Sequence, residues 1–79
     1  MTGVRCPTDI DRHIGQRIRM ARWEAVLSQT ALGDEVGIAF QQVQKYENGT
    51  SRVAASRLWD IAGVLKVPVA YFFEGIPAR

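Results

Sequence analysis

SQTALGDEVGIAFQQVQKYENG, residues 28–49, is the stretch on which the fold turns. Ahead of Gly37, Leu32 and Val36 stand four apart, so they share one face of a helix over Gln29 to Val36. Ser28 offers a hydroxyl to cap that helix. Beyond Gly37, Val43 and Tyr46 stand three apart in a second segment, Phe40 to Glu47, whose other face is rich in amides. Gly37 takes up positive φ at no steric cost, which ends one helix and redirects the chain into the next. Asn48-Gly49 supplies the same left-handed stop at the far end. The spacing predicts two short helices set at a corner, a helix-turn-helix unit.

The second helix of such a unit is the one offered outward. With Val43 turned inward, 100° per residue places Gln44 about 100° away, Asn48 about 140°, Gln41 about 160° and Lys45 about 200°. Gln41, Gln44 and Lys45 therefore form an exposed ridge. Gln42, on its flank, can reach a base or a phosphate. Glutamine can bond the N6 and N7 edge of adenine, and lysine can donate to guanine O6 and N7. Such a ridge suits the major groove of double-stranded DNA; a merely solvated polar face is the plain alternative. Phe40 lies about 60° from Val43 and can pack back onto the preceding helix. Glu47, about 40° from Val43, points to the core edge.

These residues resemble the phage-repressor-like (Cro/C1, or XRE) helix-turn-helix regulators of bacteria and phages. The matching positions are Ser28-Gln29, Leu32, Val36-Gly37, Val43 and Tyr46-Glu47-Asn48-Gly49, within a likeness that runs from about Ile14 to Phe73. The resemblance implies an all-α, compact five-helix repressor-like domain. It implies that Arg22 pairs with Glu47, pinning the first helix to the third. Gln29 stands where the family holds a phosphate and steadies a neighbouring side chain, or else is a solvated surface residue. Phe40 falls at a base-reading position, where its ring would meet a thymine methyl. Ala39 occupies a backbone-facing position where a capping Ser or Thr is common, so the cap and its phosphate bond are both missing. Asn48 and Arg52 are the candidates for the loop that meets the DNA backbone; either is otherwise ordinary loop surface. Gly33 replaces the usual Ala at a close helix crossing, at a helix-propensity cost of about 1 kcal/mol.

Outward from the motif, Ile10, Ile14, Ile18, Ala21 and Ala25 recur as one apolar stripe, giving a first helix over Asp9 to Ala25 capped by Thr8 or Asp9. Met20 and Trp23 lie on its outer side, as a partner surface, a seat for the C-terminal tail, or simple exposed surface. Leu58, Ile61, Ala62 and Leu65 set a fourth helix over Ala54 to Leu65, with Trp59 read as core edge. Pro68 opens a short fifth helix at its preferred first position, followed by Val69, Tyr71, Phe72 and Phe73. Residues 1 to 8 are expected to form a flexible arm and residues 9 to 75 the folded domain.

Seventy-nine residues, 47% hydrophobic and 23% charged, suffice for one globular domain. No apolar run approaches the roughly 20 residues of a membrane helix, and the first residues lack a signal peptide's apolar region; a cytoplasmic protein is expected. One cysteine, Cys6, and one histidine, His13, make neither an internal disulfide nor a metal site, and no cofactor is implied. His13 has no companion nucleophile, so no enzyme is expected; it is surface or part of the first helix's contacts. Net charge is +2, but residues 28–49 hold only Lys45 against Asp34, Glu35 and Glu47. Phosphate attraction must therefore come from outside the motif, or from helix N-termini and amides.

The expected function is sequence-specific binding of double-stranded DNA by a transcriptional regulator, without membrane association. A homodimer is expected on an inverted repeat, joined through Val67 to Pro77 with Trp23 and Met20 contributing. The alternative keeps the fold as an antitoxin-like or antirepressor-like protein-interaction module, using the Trp23 or the Phe72-Phe73 surface.

Overall fold

A computed structural model describes residues 8–76; the expected N-terminal arm apart from Thr8, with Cys6 and Pro7, and Pro77 of the expected dimer segment lie outside this range. Four α-helices, α1 (Asp9–Glu24), α2 (Gln29–Val36), α3 (Phe40–Asn48) and α4 (Ala55–Leu65), are followed by a 3₁₀-helix, Val69–Phe73. Thr8 opens α1 with a reciprocal cap: its hydroxyl accepts from Asp11 N, and its own N–H donates to Asp11 Oδ2 at 2.7 Å. Ser28 caps α2 by accepting from Ala31 N at 2.9 Å. Gly37 at φ 79° and Gly49 at φ 77° end α2 and α3 in the left-handed region. In each case the next residue's N–H reaches back, Ile38 to Gly33 O and Thr50 to Lys45 O, which satisfies a helix-end carbonyl.

The core gathers one apolar stripe from every element: Ile18 and Ala21, Leu32, Val43 and Tyr46, Leu58 to Leu65, and Phe72. Phe72 is wholly buried, a gain of about 1.5–3 kcal/mol for a side chain of that kind. α1 crosses α3 at Gly15, where a Cβ would stand 2.1 Å from Tyr46 O. Gly33 lets α2 close onto its own turn, since a Cβ there would stand 2.6 Å from Ile38 O. The nearest atoms are the main chain of the turn, Ile38 O and Ala39 C, with Phe40 N at the start of α3 at 3.5 Å, so the approach of the two helices runs through the turn that joins them.

Several expectations need correction. Ile10 is 44% exposed and Ala25 is exposed, so only the middle of the α1 stripe is core. Ile10 instead borders Gly75 and Ile76, and Ala25 lies past the helix, which Val26 ends at φ 58°. Trp59 is not core edge but 71% exposed. The fifth helix is a 3₁₀-helix, and Pro68 precedes it as the cap with extended ψ 151° while its carbonyl accepts from Tyr71 N at 2.9 Å. Phe72 cannot serve as partner surface, because that ring closes the core; Phe73 remains half-exposed. The tail lies against α1 at Arg17 and His13 rather than at Trp23: Arg17 Nε donates to Tyr71 O at 2.9 Å, and its guanidinium sits 3.8 Å from the Tyr71 ring.

Candidate nucleic-acid interface

The corner at Gly37 sets α3 with Val43, Tyr46 and Glu47 inward. Gln41, Gln44, Lys45 and Asn48 are left exposed along the opposite side, with Gln42 half-buried between them and the core. Phe40 is 42% exposed at the entrance to the helix, neither sealed against α2 nor fully outside. Ala39 is exposed and makes no side-chain cap, and neither α2 nor α3 carries an acid in its first turn. Neither helix start has its partial positive charge offset by an acid, and α3 also lacks a side-chain cap on its first N–H groups, whereas Ser28 takes the Ala31 N–H of α2.

Behind the ridge lies a buried carboxylate. Glu47, with no exposed side-chain surface, accepts from Arg22 Nε at 2.6 Å and Arg22 Nη2 at 2.9 Å. Arg19 Nε at 3.3 Å and Gln29 Nε2 at 3.1 Å complete its shell. Burial alone would push the Glu47 carboxyl up; the hydrogen bonds from Arg22, Gln29 and Arg19, with the Arg22 charge, outweigh it and hold the group below its usual value. Arg22 also donates to Leu27 O at 2.9 Å, so one guanidinium ties α1, the following loop and α3 together.

The geometry separates the anticipated site residues into two groups. Gln41, Gln44 and Lys45 stand on one open face. Gln29 approaches that face from α2, half-buried, its amide nitrogen donating to Glu47 Oε1 at 3.1 Å. Asn48 is exposed, and its Oδ1 accepts from Arg19 Nη2 at 3.0 Å, which turns the amide's donor end away from α1. Arg52, in the loop after α3, donates from Nε to Asp11 Oδ2 at 3.0 Å and so is engaged with the α1 cap.

Arg19 was not anticipated. It lies three residues before Arg22, one turn along α1, and that i, i+3 pair is the signal that links both guanidiniums to one carboxylate. Nor was Arg57, whose Nη1 donates to Val36 O at 2.7 Å and holds α4 to the end of α2; a bond to a distant carbonyl leaves no mark in sequence. His13 is occupied: Nε2 lies 2.6 Å from Glu74 O, so it carries the proton there. Among the described residues no group of three or more His, Cys, Asp or Glu could hold a metal ion. No helix of the described residues is long and apolar enough to cross a membrane.

Two helices at a glycine corner, with the second presenting a polar ridge backed by core, define a helix-turn-helix domain. The helix-turn-helix family model (HTH_3) matches residues 18–72, and the chain belongs to this Cro/C1-type family. An uncharacterised HTH-type transcriptional regulator of Sinorhizobium medicae is 55% identical over 71 residues, covering 90% of this chain and 51% of that protein. The chain thus spans about half the length of that relative. The restriction-modification controller protein C.AhdI of Aeromonas hydrophila superposes with a TM-score of 0.76 at 28% identity, over 82% of this chain and 97% of that one. SinR, the master regulator for biofilm formation, solved in complex with DNA, gives 0.71 at 29% identity over 77% and 98%.

Proposed function

We propose that the chain is the DNA-reading part of a transcriptional regulator, non-catalytic and acting in the cytoplasm. α3 seats in the major groove, with Gln41, Gln44 and Lys45 on base edges and Phe40 and Gln42 at the margins. Gln29, the main chain at Ala39, Asn48 and Arg52 hold the phosphates. A homodimer places two α3 helices on half-sites about 34 Å apart, one turn of an inverted repeat. The observation that carries this reading is the open face of Gln41, Gln44 and Lys45, directly backed by buried Val43, Tyr46 and Glu47. Family membership and the likeness to SinR, a protein solved on DNA, support it.

Selection of bound sites from random duplex DNA is expected to return an inverted repeat. The double variant Gln41→Ala with Lys45→Ala should then lose at least tenfold in affinity for that site, each base-edge pair being worth about 1–3 kcal/mol. Its circular dichroism should be unchanged, since both residues are exposed. An unaltered complex would remove the base-reading assignment.

A further inference from the structure

Arg22 alone meets much of the need of Glu47, donating from two nitrogens at 2.6 and 2.9 Å, and Gln29 adds a third donor at 3.1 Å. The bond from Arg19 Nε is the longest of the four, 3.3 Å, and the Arg19 side chain is still 34% exposed. As a neutraliser of Glu47, a second arginine therefore adds little. The far end of the same guanidinium does something else. Its Nη2 donates to Asn48 Oδ1 at 3.0 Å, so one planar fork spans the buried carboxylate and the exposed amide at the end of α3. The Trp23 ring lies alongside, its centroid 6.0 Å from the guanidinium carbon.

The direction of that bond decides what Asn48 shows to solvent. A guanidinium can only donate, so the atom facing Arg19 is the amide oxygen, and Nδ2 with its N–H donors is directed away. Asn48 is the last residue of α3, ahead of the left-handed stop at Gly49. The carbonyls at a helix C-terminus carry partial negative charge, so this end of α3 by itself repels a phosphate. An outward amide nitrogen reverses that effect locally, whereas an outward Oδ1 would add to it. A free surface asparagine turns either way at little cost. Arg19 removes the choice.

We infer that Arg19 is a positioning residue for the duplex: by holding Asn48 Oδ1 it presents the Asn48 N–H groups, already oriented, to a backbone phosphate beside the end of α3. The inference rests on the docking of α3 proposed above and deepens it, naming the group that orients one of its backbone contacts. Arg19 itself stays on Glu47 and Asn48 and does not touch the duplex. Orientation in advance removes an ordering cost that a mobile side chain meets on binding. The first test needs no DNA. In NMR relaxation of the free chain, the Asn48 side-chain amide should be as restrained as the α3 backbone. It should remain so in Arg19→Lys, whose ammonium can still donate to Oδ1, and become mobile in Arg19→Met. An amide already mobile in the wild type would overturn the inference and leave the DNA reading untouched.

The second test uses the selected duplex, at a temperature where circular dichroism shows every variant folded. Arg19→Met should lose about tenfold in affinity per half-site, the worth of one hydrogen bond to a charged group, and Arg19→Lys should recover most of it. Asn48→Ala should cost as much. Combined with Arg19→Met it should cost little more, because both substitutions remove the same contact. Losses that multiply would overturn the positioning role. Salt dependence separates orientation from direct contact. The slope should be the same in Arg19→Met as in the wild type; a fall of about one unit per subunit would place Arg19 on a phosphate and defeat the inference. A wild-type chain with a restrained Asn48 amide that binds no duplex would instead sink the DNA reading, and this role for Arg19 with it.

Discussion

Val26 carries a backbone cost that its side chain does nothing to recover. It sits at φ 58° and is 89% exposed, so a β-branched residue occupies the left-handed region without burying anything in return. The position is the stop of α1, with Leu27 N donating to Arg22 O at 3.1 Å. Left-handed φ costs an L residue roughly 1–2 kcal/mol, and glycine's greater unfolded-state freedom takes back part of the gain. Val26→Gly should therefore raise stability by about 1 kcal/mol, read as a higher urea midpoint with an unchanged slope. Gly15 is the opposite case. Its Cβ would meet the Tyr46 carbonyl at 2.1 Å, so Gly15→Ala must push α1 off α3. A loss of about 1–3 kcal/mol is expected from such overpacking, visible as a lower melting temperature. Gly37 and Gly49 announced their turns in the sequence because only glycine takes those angles freely. Val26 and Lys66 end helices in the same conformation and announced nothing, since neither residue type favours it. Gly15 was silent for another reason: what crowds it belongs to a helix that is distant in sequence.

At the scale of the element, α3 was legible from one period. Val43 and Tyr46 inward leaves Gln41, Gln44 and Lys45 outward by rotation alone, and that is their observed exposure. What rotation could not give is how firmly α3 is held, because three of the four donors on Glu47 come from α1. Glu47 is a buried charge made tolerable by Arg22, and removing one member leaves the other unpaired. Glu47→Gln should cost on the order of 3 kcal/mol near neutral pH, as broken buried pairs do. The pH dependence has a definite sign. The folded-state pKa of Glu47 lies below the usual 4.5, so the stabilisation is whole above that value and fades as pH falls through the folded pKa. Asp11, also held down from 3.8 by Thr8 and Arg52 against the effect of burial, adds a loss in the same direction. Thermal melts at stepped pH should show the wild-type and Glu47→Gln curves converging on the acid side. A gap that stays constant down to strong acid would mean that the Glu47 carboxylate gains nothing from Arg22.

For the molecule as a whole the deciding quantity is how much positive charge is left for phosphate. Composition gives a net +2, and the first helix looks basic, yet folding commits most of those charges internally. Arg12 pairs with Asp9, Arg17 with Glu74, Arg19 and Arg22 with Glu47, and Arg52 with Asp11. Arg57 is turned to the Val36 carbonyl. Lys45, on the α3 ridge, is in none of these ion pairs among the described residues. Contact with the duplex then relies on main-chain N–H groups at the uncapped start of α3, on amides and on Arg52 alongside its Asp11 pair, a set that displaces few counterions. For a dimer a slope of log affinity against log salt of about −3 to −6 follows, well short of the −10 or so of lac repressor. Fluorescence anisotropy on the selected site across a salt series measures it directly. Lys45→Met should flatten that slope by about one unit per subunit if the lysine sits at a phosphate. It should instead leave the slope nearly intact and relax sequence preference if the lysine reads a base, as proposed here. A slope near −10 would mean that the internal arginine pairs open on DNA, and the rigid arginine-pinned frame behind α3 would have to be given up.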